Sequence, residues 1–354
     1  MGTPILYLSQ KQLQLKTVDI DSITTADDTF TTLYPVTHAT TPSARRQILN
    51  GSGSGGGCLL ADATTFALYD EFEIFNNSSE VQIIKNSDLT LFEFLVPRAT
   101  AIVKCTDIGT AAGSWGYLDD SNMLPKSICL NRRDDHEEVK TNQSYKMTTA
   151  TPGSGSALIN SGLVAGSYGG CALMRTNSSS ATAASLYYEG SAFITLGEGA
   201  ILIRSRLSVS SVGANPDELI AGIALADRQT TSTPLSAVGN SVKIRLRTLA
   251  PNNSPYWRLA AWDATTETMA TLGLPASPSA VTINTWYNLA MVLSSDGTRV
   301  DGYVDGQRIG YMTSGLPTTL INYQVGVEGL GSGTLNRYVF EDYHTIHQNL
   351  TTKR

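Results

Sequence analysis

The sequence predicts an all-β protein built from two modules. Charged residues make up only 16% of the 354 positions. Gly, Ser, Thr and Asn recur along the whole chain, as expected where many short strands need many turns. Apolar and polar residues alternate with period two over short stretches, the pattern of strands buried on one face. The chain is also long for a single hydrophobic core, so two domains with connectors are expected.

Composition excludes several function classes. A net charge of -6 and a pI near 5.3 give no electrostatic reason to hold a polyphosphate, and no basic stripe carries interleaved aromatics, so nucleic acid is not an expected partner. The opening MGTPILYLSQKQLQLK lacks the basic start, apolar core and small-residue cleavage site of a secretory signal. No apolar run approaches the ~20 residues of a membrane helix, so no membrane partner is expected either. These features predict synthesis in a reducing cytoplasm. Cys58, Cys105, Cys129 and Cys171 form neither a CxxC pair nor a Cys/His cluster, and they read as free thiols rather than as a zinc or redox site.

Residues 1–50 carry short apolar stretches, Ile5 to Leu8 and Leu13 with Leu15, among Thr-rich sequence broken by Pro35 and Pro42. Two readings stand for this segment. It is an N-terminal arm that borrows a neighbour's core or sheet edge, or it supplies a terminal strand to the first domain. The run Asn50 to Gly57, nearly all Gly and Ser, has no side chains to pack and reads as a boundary or a long loop. Within residues 51–120, Phe72 and Ile74 alternate with Glu71 and Glu73, Val81 and Ile83 alternate with Glu80 and Gln82, and Leu91, Phe94 and Leu95 precede Pro97. Asn76, Asn77, Ser78 and Ser79 separate two of these runs and predict a hairpin turn, because Asn tolerates left-handed dihedrals.

The segment FEIFNNSSEVQIIKNSDLTLFEFLVPRATAIVKCTDIGTAAGSWGYL resembles a small β-domain of bacteriophage head-decoration, head-fibre and tail-fibre proteins. The resemblance rests on Phe72, Ile74, Asn76, Asn77, Val81, Ile83, Asp88, Pro97, Ala99, Val103, Gly113 and Trp115. It departs from the commonest form at Asp88-Leu89, where Asp-Gly is more usual. It implies a structural, particle-anchoring module, a virion location, and the major capsid protein or other virion proteins as partners.

Residues 121–156 read as a linker. Arg132 to Glu138 form a mixed-charge stretch of the kind usually found in solvated loops, and a lone His136 among carboxylates lacks the convergence a metal requires. Residues 157–354 hold the most regular strand signals. Val242, Ile244 and Leu246 alternate with Lys243, Arg245 and Arg247, and Asp-Gly turns stand at Asp296-Gly297 and Asp305-Gly306. The block TWYNLAMVLSSDGTRVDGYVDGQRIG resembles the laminin-G and concanavalin-like lectin family through Trp286, Leu289, Asp296, Gly297, Tyr303, Val304, Asp305 and Gly306. That resemblance implies a jelly-roll β-sandwich, with LNRYVFEDYHTI as its last strand. Trp286, Tyr287 and Tyr303 are expected between the two sheets. Trp257 and Trp262 are the candidate platforms for sugar rings. Calcium is the one cofactor considered, since laminin-G-like modules often hold it at one rim, and its candidate ligands are Asp296, Asp301 and Asp305.

Three function classes compete. Glycosidases of this fold carry two or three acids at alternate positions of one strand, and no strand after residue 157 does so. Glu341 and Asp342 are adjacent and point to opposite faces of a strand. No Gly-x-Ser-x-Gly elbow, His-Glu-x-x-His or phosphate loop is present either, so catalysis is not expected. A capsid decoration or cement protein is the first expectation, and a tail-fibre or other adhesin for a host surface glycan is the alternative. Exposed sheet edges and the weakly cored N-terminus lead to the further expectation of a homotrimer.

Overall fold

The computed structural model describes residues 20–38, 40–119, 129–134, 147–150, 157–160, 172–175, 183–189, 194–210, 219–227, 240–247, 254–262, 267–270, 279–317, 320–329 and 338–350. Regular structure among them is almost wholly β, as the sequence predicts, and none of their helices is long and apolar enough to cross a membrane. The chain divides into two compact units, with the main boundary at Leu124 and Pro125.

Unit 1 contains β1 (Ile20–Thr25), β2 (Phe30–Leu33), β3 (Arg46–Gly51), β4 (Gly57–Leu60), β5 (Glu71–Asn76), β6 (Gln82–Lys85), β7 (Leu91–Leu95), β8 (Thr100–Asp107) and β9 (Ser114–Asp119). The odd strands β1, β3 and β5 pair in parallel, and so do the even strands β2, β4 and β6. Ile20 lies beside Arg46 and Arg46 beside Glu73, while Phe30 lies beside Gly57 and Gly57 beside Ile83. Successive pairings are thus 26 or 27 residues apart in both sheets. The chain winds as a coil, each turn laying one strand on sheet A (β1-β3-β5-β8-β9) and one on sheet B (β2-β4-β6-β7). The antiparallel strands β7, β8 and β9 complete the two sheets. Leu33, Leu49, Leu60, Phe72, Ile74, Ile83, Phe94 and Val103 are buried in this unit.

This coil changes three readings of the sequence. Residues 20–50, expected as an arm or a terminal strand, supply β1, β2 and β3; residues 1–19 lie outside the described residues. Asn76 to Ser79 do not form a hairpin, because β5 and β6 belong to different sheets; they turn a corner of the coil. There the buried Asn76 donates from Nδ2 to Leu95 O (2.8 Å) and accepts at Oδ1 from Ser78 N (2.9 Å) and Ser78 Oγ (2.6 Å). Asn77 Nδ2 donates to Oδ1 of Asn50 (2.7 Å), one turn of the coil earlier, and Asn50 Nδ2 donates to Ser22 Oγ (2.7 Å), one turn earlier again. The true hairpin follows β6, where Leu89 N donates to Asn86 O and Leu89 sits at φ 69°. Asp-Gly would suit that position better. At the close of the unit, Trp115 packs edge-on against Phe66 at 5.1 Å and donates from Nε1 to Ala112 O (2.9 Å).

The third reading to change is the Gly/Ser run, which is not a loose connector. Its residues 53–57 are buried against the preceding corner, around Ala26 and Thr29. A Cβ on Gly53 would lie 2.2 Å from the Ala26 carbonyl carbon, and one on Gly57 would lie 1.9 Å from Ile83 O. Backbone packs on backbone here, which only glycine permits. Gly57→Ala is therefore expected to destabilise unit 1 by about 3 kcal/mol. Hydrogen exchange of the full chain checks this: amides of β4 and β6 should lose protection while those of unit 2 keep it, and unchanged β4 protection would refute it.

Unit 2 contains β10 (Cys129–Asp134), β11 (Met147–Ala150), β12 (Ala157–Asn160), β13 (Ala172–Arg175), β14 (Ala183–Glu189), β15 (Ile194–Thr195), β16 (Ile201–Val209), β17 (Leu219–Asp227), β18 (Ser241–Arg247), β19 (Ser254–Trp262), β20 (Glu267–Met269), β21 (Trp286–Leu293), β22 (Val300–Val304), β23 (Gln307–Met312), β24 (Leu320–Gly329) and β25 (Tyr338–Asn349). They form two antiparallel eight-stranded sheets. Sheet C runs β12-β13-β25-β16-β21-β22-β23, with β10 also on β25, and sheet D runs β11-β14-β24-β17-β18-β19-β20, with β15 also on β24. The chain crosses repeatedly between them, giving the lectin-like jelly-roll sandwich that the second motif implied. One core lies between the sheets, with Ile203, Leu207, Leu289, Met291 and Ile346 from sheet C against Ile223, Ile244, Trp257, Tyr323 and Val325 from sheet D. Part of the expected linker belongs here, since β10 pairs with β25 and β11 with β14. His136 lies outside the described residues.

Candidate functional site

Strand phase decides which side chains of the sandwich can meet a ligand. On β21, Tyr287, Leu289, Met291 and Leu293 point into the core, so Trp286 and Asn288 point outward. Trp286 is therefore not a core residue as expected; it is half-buried on the outer face of sheet C. On β16, Leu207 and Val209 point inward, which leaves Arg206 and Ser208 beside Asn288 and Trp286. On β25, Val339 and Glu341 are buried while Tyr338 and Phe340 are half-buried, with Phe340 opposite Ser208. The register then shifts between Arg206 and Leu207, so that Arg206 faces Tyr343 and Leu207 faces Glu341. This bulge re-aims the strand: Asp342 and Tyr343 are both half-buried and His344 returns to the interior.

Trp286, Phe340 and Tyr343 thus share a face with Arg206, Asp342, Asn288 and Ser208. The Arg206 guanidinium lies 5.2 Å from the Trp286 ring centroid, and its Nη1 donates to Asp342 Oδ2 (2.9 Å). Tyr338 stacks near Phe340 at 6.5 Å. Chemically this is a shallow aromatic surface with a planar, charge-balanced hydrogen-bonding pair at its centre. Flat rings accept the apolar C–H face of a pyranose, and a guanidinium beside a carboxylate offers both donors and acceptors to ring hydroxyls.

The residues singled out from the sequence fall elsewhere. Trp257 is fully buried in the inter-sheet core, edge-on to Tyr287 at 5.9 Å, and cannot serve as a sugar platform. It points inward because it shares a face with Leu259 and Ala261, both in the core. Trp262 is half-buried at the end of β19, on the other face of that strand, with Lys243 Nζ 5.5 Å from its centroid. The two tryptophans therefore do not form one site. Tyr303 is buried, as expected, yet it lies on the opposite face of β22 from the core residues Val300 and Val304.

The three aspartates proposed for calcium do not converge. Asp296 and Asp305 occupy turns at opposite ends of β22, whose five extended residues alone span roughly 17 Å. Asp296 accepts at Oδ1 from Ser294 Oγ (2.7 Å), Thr298 N (3.0 Å) and Thr298 Oγ1 (2.8 Å). These donors, the Ser294 hydroxyl first, hold its carboxyl below the usual range. Asp305, at φ 46° and followed by Gly306 at φ 79°, makes the hairpin turn the sequence predicts, and its Oδ1 accepts from Asn288 N (2.7 Å). Asp301 is fully buried between Arg299, whose Nε donates to Oδ2 at 2.9 Å, and Arg308, both of which also lie over the Tyr311 ring.

Two further clusters were not anticipated. Between the sheets, Glu341 accepts from Ser205 Oγ (2.8 Å) and Tyr323 OH (2.5 Å), and its other oxygen is 3.5 Å from His344 Nδ1. All four residues are buried, so this polar knot ties β16 and β25 to β24 and is closed to substrate. In unit 1, Cys58 and Cys105 are buried free thiols, and burial pushes the Cys58 thiol up to about 12. Such a thiol is unreactive near neutral pH.

No family model matches the chain, and no curated protein matches it. Among solved structures the chain is similar to peanut lectin, at 9% identity over 64% of this chain and 99% of that one, with a TM-score of 0.43. It is similar to the Emp47p carbohydrate recognition domain at 10% identity over 65% and 99%, with a TM-score of 0.40, and to Bacillus licheniformis beta-glucanase at 16% identity over 63% and 98%, with a TM-score of 0.38.

Proposed function

We propose that this chain is a carbohydrate-binding protein without hydrolytic activity, an adhesin that takes a neutral pyranose chain on the outer face of sheet C. The observation that carries the reading is the grouping of Trp286, Phe340 and Tyr343 around the Arg206–Asp342 pair. Because that pair is internally balanced, the surface suits a neutral sugar better than an acidic one. The reading that it does not hydrolyse glycans is supported by the same strand, where Glu341 is sealed in the core and Asp342 is held by Arg206. We place the protein on a virion, with unit 1 as its attachment module. The support for that placement is the phage-type motif from Phe72 to Trp115, which runs through the buried strands and corners of the coil.

The shallow, open surface predicts weak binding, on the order of 0.1–1 mM. Titration calorimetry of the full chain with a panel of neutral oligosaccharides should show this, and Trp286→Ala should weaken it at least about tenfold, some 1.4 kcal/mol, while leaving the melting curve in place. Binding that survives Trp286→Ala unchanged, or a panel in which only uronic or sialic acid glycans bind, would overturn the assignment.

A further inference from the structure

Two register rows cross the outer face of sheet C side by side. The first runs Phe340, Ser208, Trp286 over the adjacent strands β25, β16 and β21, and the second runs Tyr343, Arg206, Asn288 over the same strands. The first row is aromatic at both ends and low in the middle, where Ser208 is small and buried. The second row is polar. Arg206 Nη1 donates to Asp342 Oδ2 (2.9 Å), and Asn288 Nδ2 donates to Asp305 Oδ1 (3.3 Å), which leaves Asn288 Oδ1 as an acceptor. The Arg206 guanidinium, 5.2 Å from the Trp286 ring centroid, reaches from the second row to the first. Neighbouring strands lie about 5 Å apart, so Phe340 and Trp286, two strands from each other, stand about 10 Å apart across the sheet.

We infer that the ligand is a flat, β-1,4-linked, gluco-configured chain lying across the strands, and that three consecutive units fill the site. This rests on the reading of the face as a sugar site and adds the linkage and length of the sugar. In such a chain the ring substituents are equatorial, so both faces of each ring are apolar C–H surfaces and the hydroxyls project from the edges of the ribbon. Successive units are turned over, so the chain repeats every second unit, a length close to two strand spacings. One unit then stacks on Phe340, the next passes over Ser208 and the third stacks on Trp286. One edge of the ribbon lies along Tyr343, Arg206 and Asn288, which supply its hydroxyls with donors and acceptors. An α-1,4-linked chain curves, and cannot rest on both aromatics while keeping an edge on the polar row. Sheet twist turns the two aromatic positions by roughly 40–50° about the row. A single chain follows that turn through its glycosidic torsions, whereas the flat face of a crystal does not.

Calorimetric titration of the full-length protein with cellobiose, cellotriose, cellotetraose and maltotriose tests this. Cellotriose should bind at least about tenfold more tightly than cellobiose or maltotriose, and cellotetraose within about twofold of cellotriose. Phe340→Ala should bring cellotriose down to the cellobiose level while changing cellobiose itself, seated at Trp286, by no more than about twofold. Loss of fold would lower both sugars together, so the difference between them reports the ligand contact. Phe340→Leu, which keeps apolar bulk without a flat ring, should behave as Phe340→Ala does. Cellotriose binding no tighter than cellobiose, maltotriose binding as tightly as cellotriose, or capture of the protein on crystalline cellulose through Trp286 overturns the linkage and length while leaving a sugar site in place. If none of the four sugars binds, or Trp286→Ala binds them all as wild type does, the sugar site falls and this inference falls with it.

Discussion

Trp257→Ala should cost unit 2 about 3–5 kcal/mol, the range for deleting a large aromatic from a close-packed core. Trp257 is the largest of the fully buried side chains, and it packs among residues from both sheets, touching Tyr287 edge-on. The cavity left by alanine would be lined by β-strand side chains whose backbone is fixed by pairing on both sides, so little collapse can offset the loss. Trp257→Phe should be far milder. Among the described residues the indole N–H has no hydrogen-bond partner, so phenylalanine loses volume but also removes a buried donor that gains nothing. Denaturant unfolding of both variants, followed by exchange at β18 and β19, distinguishes the cases. An alanine variant within about 1 kcal/mol of wild type would show that the core can repack.

Glu341→Ala should be comparably damaging, about 3–5 kcal/mol, for a different reason. The carboxyl is the shared acceptor for Ser205 and Tyr323 and the neighbour of His344, all in the interior. Alanine would remove, in a low-dielectric space, the acceptor that two hydroxyls share and the carboxylate beside an imidazole. Glu341→Gln keeps an acceptor oxygen for the hydroxyls and should lose roughly half as much or less. Thermal melts of the pair should rank wild type above Gln and Gln above Ala. If alanine proved as stable as glutamine, the hydroxyl contacts would be of no consequence.

The sequence disclosed strand character well and strand partners poorly, and the reason is physical. The alternation of Val242, Ile244 and Leu246 identifies an inward face because burial of one face imposes a period of two, and all three are in the core. The Asp305-Gly306 turn was legible because its backbone needs left-handed dihedrals. The parallel coil of unit 1 was not, since period-two alternation is the same whether a strand pairs with its neighbour or with one 26 residues away. The available signal was positional: Asn50 and Asn77, 27 residues apart, stand at the ends of β3 and β5 and meet in space. The aromatic surface of sheet C was half-legible. Tyr338 and Phe340 alternate correctly, but the bulge that brings Asp342 and Tyr343 to that surface leaves no mark in a hydrophobicity pattern. Size alone favours an interior place for Trp286, whereas its face is set by Tyr287, Leu289 and Met291.

The glycine corner of the coil bears on how the molecule can be handled. Asn50 to Gly57 has the composition engineers use for flexible joints, and it is where a fusion, an epitope or a protease site would ordinarily be introduced. In this fold the same residues are a bearing surface between consecutive windings, and an insertion there would strain the pairings of β2 with β4 and of β3 with β5 that join the windings on either side. The tip at Asp88 and Leu89, polar on one residue and exposed on both, is the place where added sequence can leave without disturbing the stack.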